Sequence, residues 1–210
     1  MKRSIYIIGL ASILAFTMSS FMKNGVKLVD NDPSSFLFDY LEIKYPEESF
    51  NDFIYVGIQR QLLHYFKEGK LFKSYPVSTS KHGAGTEVGS NMTPVGLHVI
   101  KNKYGDDVPL GGIFSSRRYT GRIAEIQHEA VATGKDEITT RILTLDGQEE
   151  GINKGEPNDS YERRIYVHGT SEEGLIGKPA SHGCIRMKNK DIVELYKLVK
   201  PGMNLVILNN

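Results

Sequence analysis

"DFIYVGIQRQLLHYFKEGKLFKSYPVSTS", Asp52 to Ser80, is the stretch from which the fold can be read. Its runs are rich in aromatic and β-branched residues, and the two-residue period of a strand places Leu62, His64 and Phe66 on one face and Leu63 and Tyr65 on the other. Two strand-like runs are joined by "KEGK", with glycine at the turn, so the stretch predicts a β-hairpin. His64 reads as an ordinary strand residue. Downstream, "TPVGLHVI" is a turn leading into a strand. "TTRILTLDG" and "RRIYVHG" are two more strand-like runs, parted by the polar insert "QEEGINKGEPNDSYE", and "MNLVILNN" is a closing strand. One segment has a clear helical period. In "KNKDIVELYKLVKPG", Ile192, Leu195, Tyr196 and Val199 fall at i, i+3, i+4 and i+7, with Asn189 as cap and Pro201-Gly202 as stop. The expected fold is mainly β, a sandwich or partial barrel with a C-terminal helix packed on it.

Two segments stand outside this pattern. "SKHGAGTEVGSNM" invites a phosphate-loop reading, but Gly83, Gly85 and Gly89 miss G-x-G-x-x-G by one position and no G-K-[ST] follows. Residues 103–135, with "DDVPLGG", "SSRRYTGR" and "RIAEIQHEAVATG", read as a long excursion off the β scaffold, partly helical, of the kind that serves as a lid or binding loop.

The N-terminus, "MKRSIYIIGLASILAFTMSSFMKNG", has a basic start and an apolar run too short for a comfortable membrane span. Residues 1–22 are expected to be a signal peptide, or an anchor if uncleaved. Residues 23–50, polar with one apolar patch "SFLFDYLEI", are expected to be a linker or short helix packing on the domain. Residues 51–210 form the domain proper. Either reading of the leader exports the chain to the periplasm or cell wall, with membrane contact only if the leader stays. The formal net charge of +1 provides no field to attract nucleic acid.

Cys184 is the single cysteine of 210 residues, so it has no disulfide partner within the chain. It lies in "ASHGCIRMKN", with His182 two places before it and Arg186 two after. Three readings compete: a nucleophile, a zinc ligand with His168 and His182, or a small buried core residue. Zinc is the weaker choice because a structural site needs a fourth protein ligand and there is no C-x-x-C pair. A nucleophilic thiol needs a base, and His168 ends the strand "RRIYVHG", joined to the cysteine segment by glycine-rich chain that folds back easily. Gly183 leaves room for the Gly183 and Cys184 N–H groups to converge as an oxyanion hole, typically worth about 10²–10³ in rate per donor. Arg186 offers a planar fork for a substrate carboxylate.

"IYVHGT" followed by "SHGCIRM" resembles the signature of the L,D-transpeptidase family, which remodels bacterial peptidoglycan. The likeness extends to "FIYVGIQRQLLHYF", to the T-P-x-G-x-His turn and strand, and to the closing helix and strand, covering Phe53 to Leu208. It implies an L,D-transpeptidase-like β-sandwich or partial barrel, with no cofactor and no metal. By position it implies Cys184 as nucleophile, His168 as general base and the Gly169 carbonyl as the group orienting the imidazole. Ser181 and His182 then shape the loop, Gly183 and Cys184 supply the oxyanion donors, and Arg186 is the motif arginine. The implied reaction is attack on the L-centre carbonyl of the third stem-peptide residue, release of terminal D-alanine, and transfer of the acyl group to an amine. Implied partners are peptidoglycan stem peptides and a wall-anchored lipoprotein. The alternatives are an L,D-carboxypeptidase or a hydrolase detaching a wall protein at the same site. A catalytically silent wall-binding module is a further alternative. The excursion matches nothing in the family pattern.

Overall fold

The computed structural model describes residues 33–210. The leader, and the first part of the expected linker, lie outside the described residues. The chain divides into two units, ending and starting at Lys44 and Tyr45. In the first, helix α1 spans Pro33–Lys44 and contains the apolar patch.

The second unit holds ten strands. β1 (Phe53–Gly57), β2 (Leu62–Lys67), β3 (Lys70–Ser78) and β4 (Gly96–Tyr104) come first. β5 (Gly112–Ser115), β6 (Arg118–Ile123), β7 (Ile138–Gly147) and β8 (Tyr166–Thr170) follow. After a short 3-10 turn, Glu173–Leu175, the chain forms β9 (Ile185–Met187), helix α2 (Asn189–Leu198) and β10 (Asn204–Leu208). The order β4-β10-β1-β2-β3-β9-β8-β7 closes on itself, because β4 pairs with both β10 and β7. The architecture is mainly β, as the sequence pattern implies, with the sheet closed into a ring and the β5–β6 hairpin hanging from β7.

One face of the ring is the core. Ile54, Val56, Leu63, Tyr65, Leu143, Val167, Ile185 and Leu205 are buried there in one cluster. Ile192, Leu195, Tyr196 and Val199 of α2 join it, so the helical stripe read from sequence is the stripe that packs. Each such fully buried aliphatic side chain contributes about 1.5–3 kcal/mol. The opposite face of β8 and β9 carries a different set: Phe114, Ile142 and Tyr166 form a small second cluster with Cys184 packed against it.

Three expectations change. The first strand-like run of the hairpin stretch is itself a hairpin, because the chain turns at residues 58–61 between β1 and β2. Gln61 takes φ 51° there without being glycine. Its side-chain Nε2 donates to the Ile58 carbonyl at 2.5 Å and to Thr79 Oγ1 at 2.7 Å, holding a conformation that sequence alone assigns to Gly or Asn. The excursion contains no helix. It contains the β5–β6 hairpin, turning at Ser116 and Arg117 with φ 47° and 66°. Such a turn normally announces itself as Asn-Gly, and Ser-Arg hides it. Finally, Asn189 does not cap α2. It is the first helical residue, Lys188 occupies the cap position without a side-chain bond, and Glu173 Oε1 accepts from the Asn189 N–H at 2.8 Å instead.

Candidate active site

β8 and β9 run parallel with Val167 opposite Ile185 and His168 opposite Arg186. Paired residues of a sheet point to the same side, and so do residues two apart along a strand. His168, Arg186, Tyr166 and Cys184 therefore share one face, with His168 and Cys184 on the diagonal between adjacent strands. Side chains on such a diagonal are within reach of each other.

His168 is buried. Its Nδ1 lies 2.7 Å from the Gly169 carbonyl. A carbonyl only accepts, so the proton sits on Nδ1 and Nε2 keeps its lone pair. Burial pushes the imidazole down to about 4, against the opposing pull of the Gly169 bond and the Asp136 charge. The ring is thus a neutral, oriented base at physiological pH. Gly169 has no room for a side chain: a Cβ would stand 2.7 Å from both Asn189 Oδ1 and the Thr139 carbonyl. Asn189 in turn is held by Thr139 and Thr140 and donates Nδ2 to the Thr170 carbonyl at 2.9 Å.

Cys184 is half-buried and its thiol donates to the Arg164 carbonyl at 3.4 Å. No hydrogen bond joins it to His168 among the described residues. Burial pushes the thiol up to about 12 and the Asp136 charge adds to this, while the Tyr166 N–H, Arg186 and Arg163 act the other way. Cys184 keeps part of its surface open to solvent, so the direction is what bears on chemistry: the proton rests on sulfur at neutral pH. The resting pair is neutral thiol and neutral imidazole.

The loop before the thiol is fixed at both ends. Ser181 Oγ donates to the Cys184 carbonyl at 2.6 Å, and the Gly183 N–H donates to Ser181 Oγ at 3.2 Å. Ser181 also binds back to the end of β3, its N–H donating to the Thr79 carbonyl and its carbonyl accepting from Lys81. Gly183 has φ 123°, a left-handed backbone that a side chain would strain. The oxyanion expectation changes here, because the Gly183 N–H is engaged by Ser181 in this state. On the far side of the thiol, Arg163 donates to the Thr86 and Met92 carbonyls at 2.7 and 2.8 Å, stapling the glycine-rich loop.

Arg186 corrects a sequence expectation. It is only 1% exposed, and its Nη2 pairs with Asp136 Oδ1 at 2.5 Å while Nη1 pairs with Glu172 Oε2 at 2.9 Å. Both prongs of the fork meet internal carboxylates, so it does not present itself to a substrate carboxylate. His182 is also redirected: its Nδ1 meets Asp136 Oδ2 at 2.6 Å, and the ring is half exposed. No group of three or more His, Cys, Asp or Glu arranged to hold a metal occurs among the described residues. His98 and His64 are structural: His98 is buried between the Gly96 carbonyl and Ser160 Oγ, and His64 stacks on Tyr55.

Sequence reasoning missed Asp136, Glu172 and Thr133. Thr133 donates to Glu172 through both its N–H and its hydroxyl. The available signal was indirect: an arginine at a buried strand position needs carboxylate partners, and "KDE" and "SEE" flank the two strand ends. A cleft of about 430 Å³ lies between Leu110, Ile123 and Ile126 of the excursion and residues 188–191, and neither His168 nor Cys184 is in its walls.

Residues 51–208 match the YkuD family, the L,D-transpeptidase catalytic domain. The chain belongs to this family, and the family supports an enzyme of this kind. It is 26% identical over 142 residues to the "Putative L,D-transpeptidase YqjB" of Bacillus subtilis, covering 59% of this chain and 77% of that protein. A 60-residue stretch is 40% identical to "Putative L,D-transpeptidase YkuD" of the same organism, 26% of this chain and 37% of that one. The match to "Probable L,D-transpeptidase YcfS" of Escherichia coli is 24% identical over 157 residues, 74% of this chain and 43% of that one. The chain thus spans less than half the length of two of these relatives. Among solved structures, the L,D-transpeptidase of Xylanimonas cellulosilytica is 17% identical with TM-score 0.46, over 81% of this chain and 68% of that one. The Mycobacterium smegmatis enzyme is 15% identical with TM-score 0.45, over 75% and 58%.

Proposed function

We propose that this protein is an exported peptidoglycan L,D-transpeptidase with Cys184 as nucleophile and His168 as base. The observation that carries the reading is the His168 Nδ1–H bond to the Gly169 carbonyl, which leaves a neutral Nε2 on the sheet face that also bears Cys184.

The thiol rotates off the Arg164 carbonyl and gives its proton to His168 Nε2 as sulfur attacks the L-centre carbonyl of stem-peptide residue 3. The C–S bond forms and the C–N bond to terminal D-alanine breaks, with His168 returning the proton to the leaving amine. An acceptor amine then attacks the thioester, gives a proton to His168, and expels the thiolate, which regains its proton. General acid–base transfer of this kind contributes about 10²–10⁴ in rate, and the thioester divides one amide exchange into two easier steps. Cys184 N–H, next to left-handed Gly183, is a donor for the developing oxyanion. The Gly183 N–H becomes a second when it leaves Ser181, a long bond that is readily exchanged. The acceptor is another stem peptide or a lipoprotein amine, in the periplasm or cell wall. With water as acceptor, the same site is an L,D-carboxypeptidase or a hydrolase that frees wall proteins.

The test is incubation with a disaccharide-tetrapeptide and resolution of the products by mass. Cross-linked dimers are expected, tripeptide alone means hydrolysis, and neither product from folded protein means a silent binding module. Cys184→Ala is expected to abolish D-alanine release in a folded protein, and normal release by that variant rejects the mechanism.

A further inference from the structure

The chain leaving the excursion contributes one residue to the thiol's surroundings. Asp136 sits immediately past it, with backbone φ 42°, and its two carboxylate oxygens hold different partners. Oδ2 meets His182 Nδ1 at 2.6 Å and Oδ1 meets Arg186 Nη2 at 2.5 Å. His182 and Arg186 flank Cys184 at minus two and plus two. Arg186 is anchored a second time by Glu172, which Thr133 holds from the excursion side. Arg186 is also the residue opposite His168 in the β8–β9 register. One carboxylate therefore spans the thiol segment from before Cys184 to after it, and its Arg186 end is the residue registered against His168.

We propose that Asp136 is a positioning residue of the site: by clamping His182 and Arg186 together it sets where Cys184 stands relative to His168, and links the excursion to the chemistry. The proposal rests on Cys184 being the nucleophile, but its geometry does not depend on the acyl acceptor. The charged and titratable groups facing this arrangement are Arg186, Arg163 and Tyr166 on the thiol, Arg186 on His168, and Arg186, His182, His168 and Glu172 around Asp136 itself. Asp136 is a negative charge that acts on both groups: it adds to the upward push of burial on the thiol and opposes the downward push of burial on His168.

Because Cys184 is the single cysteine, alkylation by iodoacetamide reads its state directly and without any peptidoglycan substrate. In Asp136→Ala the alkylation rate profile is expected to move to lower pH, since the negative charge acting on the thiol is removed while Arg186, still held by Glu172, and Arg163 remain. The kcat for D-alanine release is expected to fall by about 10²-fold with KM little changed, as displacement of a catalytic group by about 1 Å costs that much. Asp136→Asn retains an oxygen for Arg186 and a polar partner for His182, so it is expected to recover part of kcat while keeping the shifted alkylation profile.

His182→Gln guards against misfolding, because it cuts the clamp at its exposed end and orphans no buried charge. It is expected to lower kcat while leaving thermal stability near that of the parent. A parent-like alkylation profile in Asp136→Ala, or parent-like kcat in both Asp136→Ala and His182→Gln, overturns the proposal. Absence of D-alanine release from the parent protein would count against the transpeptidase reading alone, since the alkylation arm still decides the role of Asp136.

Discussion

Strands β8 and β9 and the excursion meet at one site, and they were encoded in opposite ways. The strand pair carries its chemistry in a compact motif, His168-Gly169 and Ser181 to Cys184, with side chains fixed by backbone register. The excursion and the residue that follows it carry their contribution in Thr133 and Asp136, which belong to no motif and act through side-chain bonds across 39 to 50 positions of chain. The difference shows that the face shared by His168 and Cys184 is fixed by backbone register, whereas the charges around it are recruited from wherever the fold brings a carboxylate.

The broadest way to test the comparison is acid. His168 on β8 and His98 on β4 are both pushed down to about 4 by burial. A histidine whose folded value lies below its unfolded one is stable as the neutral form, so its contribution is complete above pH 6.5 and lost as pH falls toward 4. Each is expected to cost on the order of 3 kcal/mol once the pH is below 4. Urea unfolding at pH 7, 5.5 and 4.5 checks this. A stability that does not fall across the series breaks the picture of two buried neutral rings.

Next in size is the ion-pair centre. Arg186→Met leaves Asp136 and Glu172 without their cation in a buried setting, which is expected to destabilise by about 3–5 kcal/mol. For a domain of this size that is a fall in Tm of roughly 10 °C. A loss under about 1 kcal/mol would mean that the excursion is held by something other than charge. Gly169→Ala is smaller, about 1–3 kcal/mol from overpacking against Asn189 and Thr139. It should also lower kcat beyond what its stability loss explains, because the carbonyl that orients His168 moves with it. Steady-state kinetics at a temperature where the variant is fully folded separates the two effects. Smallest is Ser116→Asn at the excursion's hairpin turn, which suits the left-handed φ of 47° and is expected to raise stability by about 0.5 kcal/mol. Its kcat should be that of the parent.

Legibility followed the same divide. The strand-like runs and the helical stripe of α2 could be read, because burial depends on local periodicity, whereas the face shared by His168 and Cys184 follows from a β8–β9 register that sequence does not display. The turn at Gln61 and the turn at Ser116-Arg117 could not, because non-glycine residues take positive φ there, held at Gln61 by side-chain bonds to Ile58 and Thr79. Arg186 was assigned to a substrate because its type suits a carboxylate. Its carboxylates are internal, and nothing within the motif reveals them. Asn189 looked like a helix cap for similar reasons, and its side chain instead braces Thr139, Thr140 and Thr170 beneath Gly169.

The ring of eight strands closes where β4 meets β10 and β7, and β10 also runs parallel to β1. The element that completes the barrel is thus the last of the domain to be synthesised, and it inserts between two strands made much earlier. Until residues 204–208 emerge, β1 and β4 each lack a neighbour, and pairings of such long sequence separation form slowly. The β8–β9 pairing that carries His168 and Cys184 does not involve β10, so the site lies on a part of the sheet whose own pairing is more local than the closure of the ring.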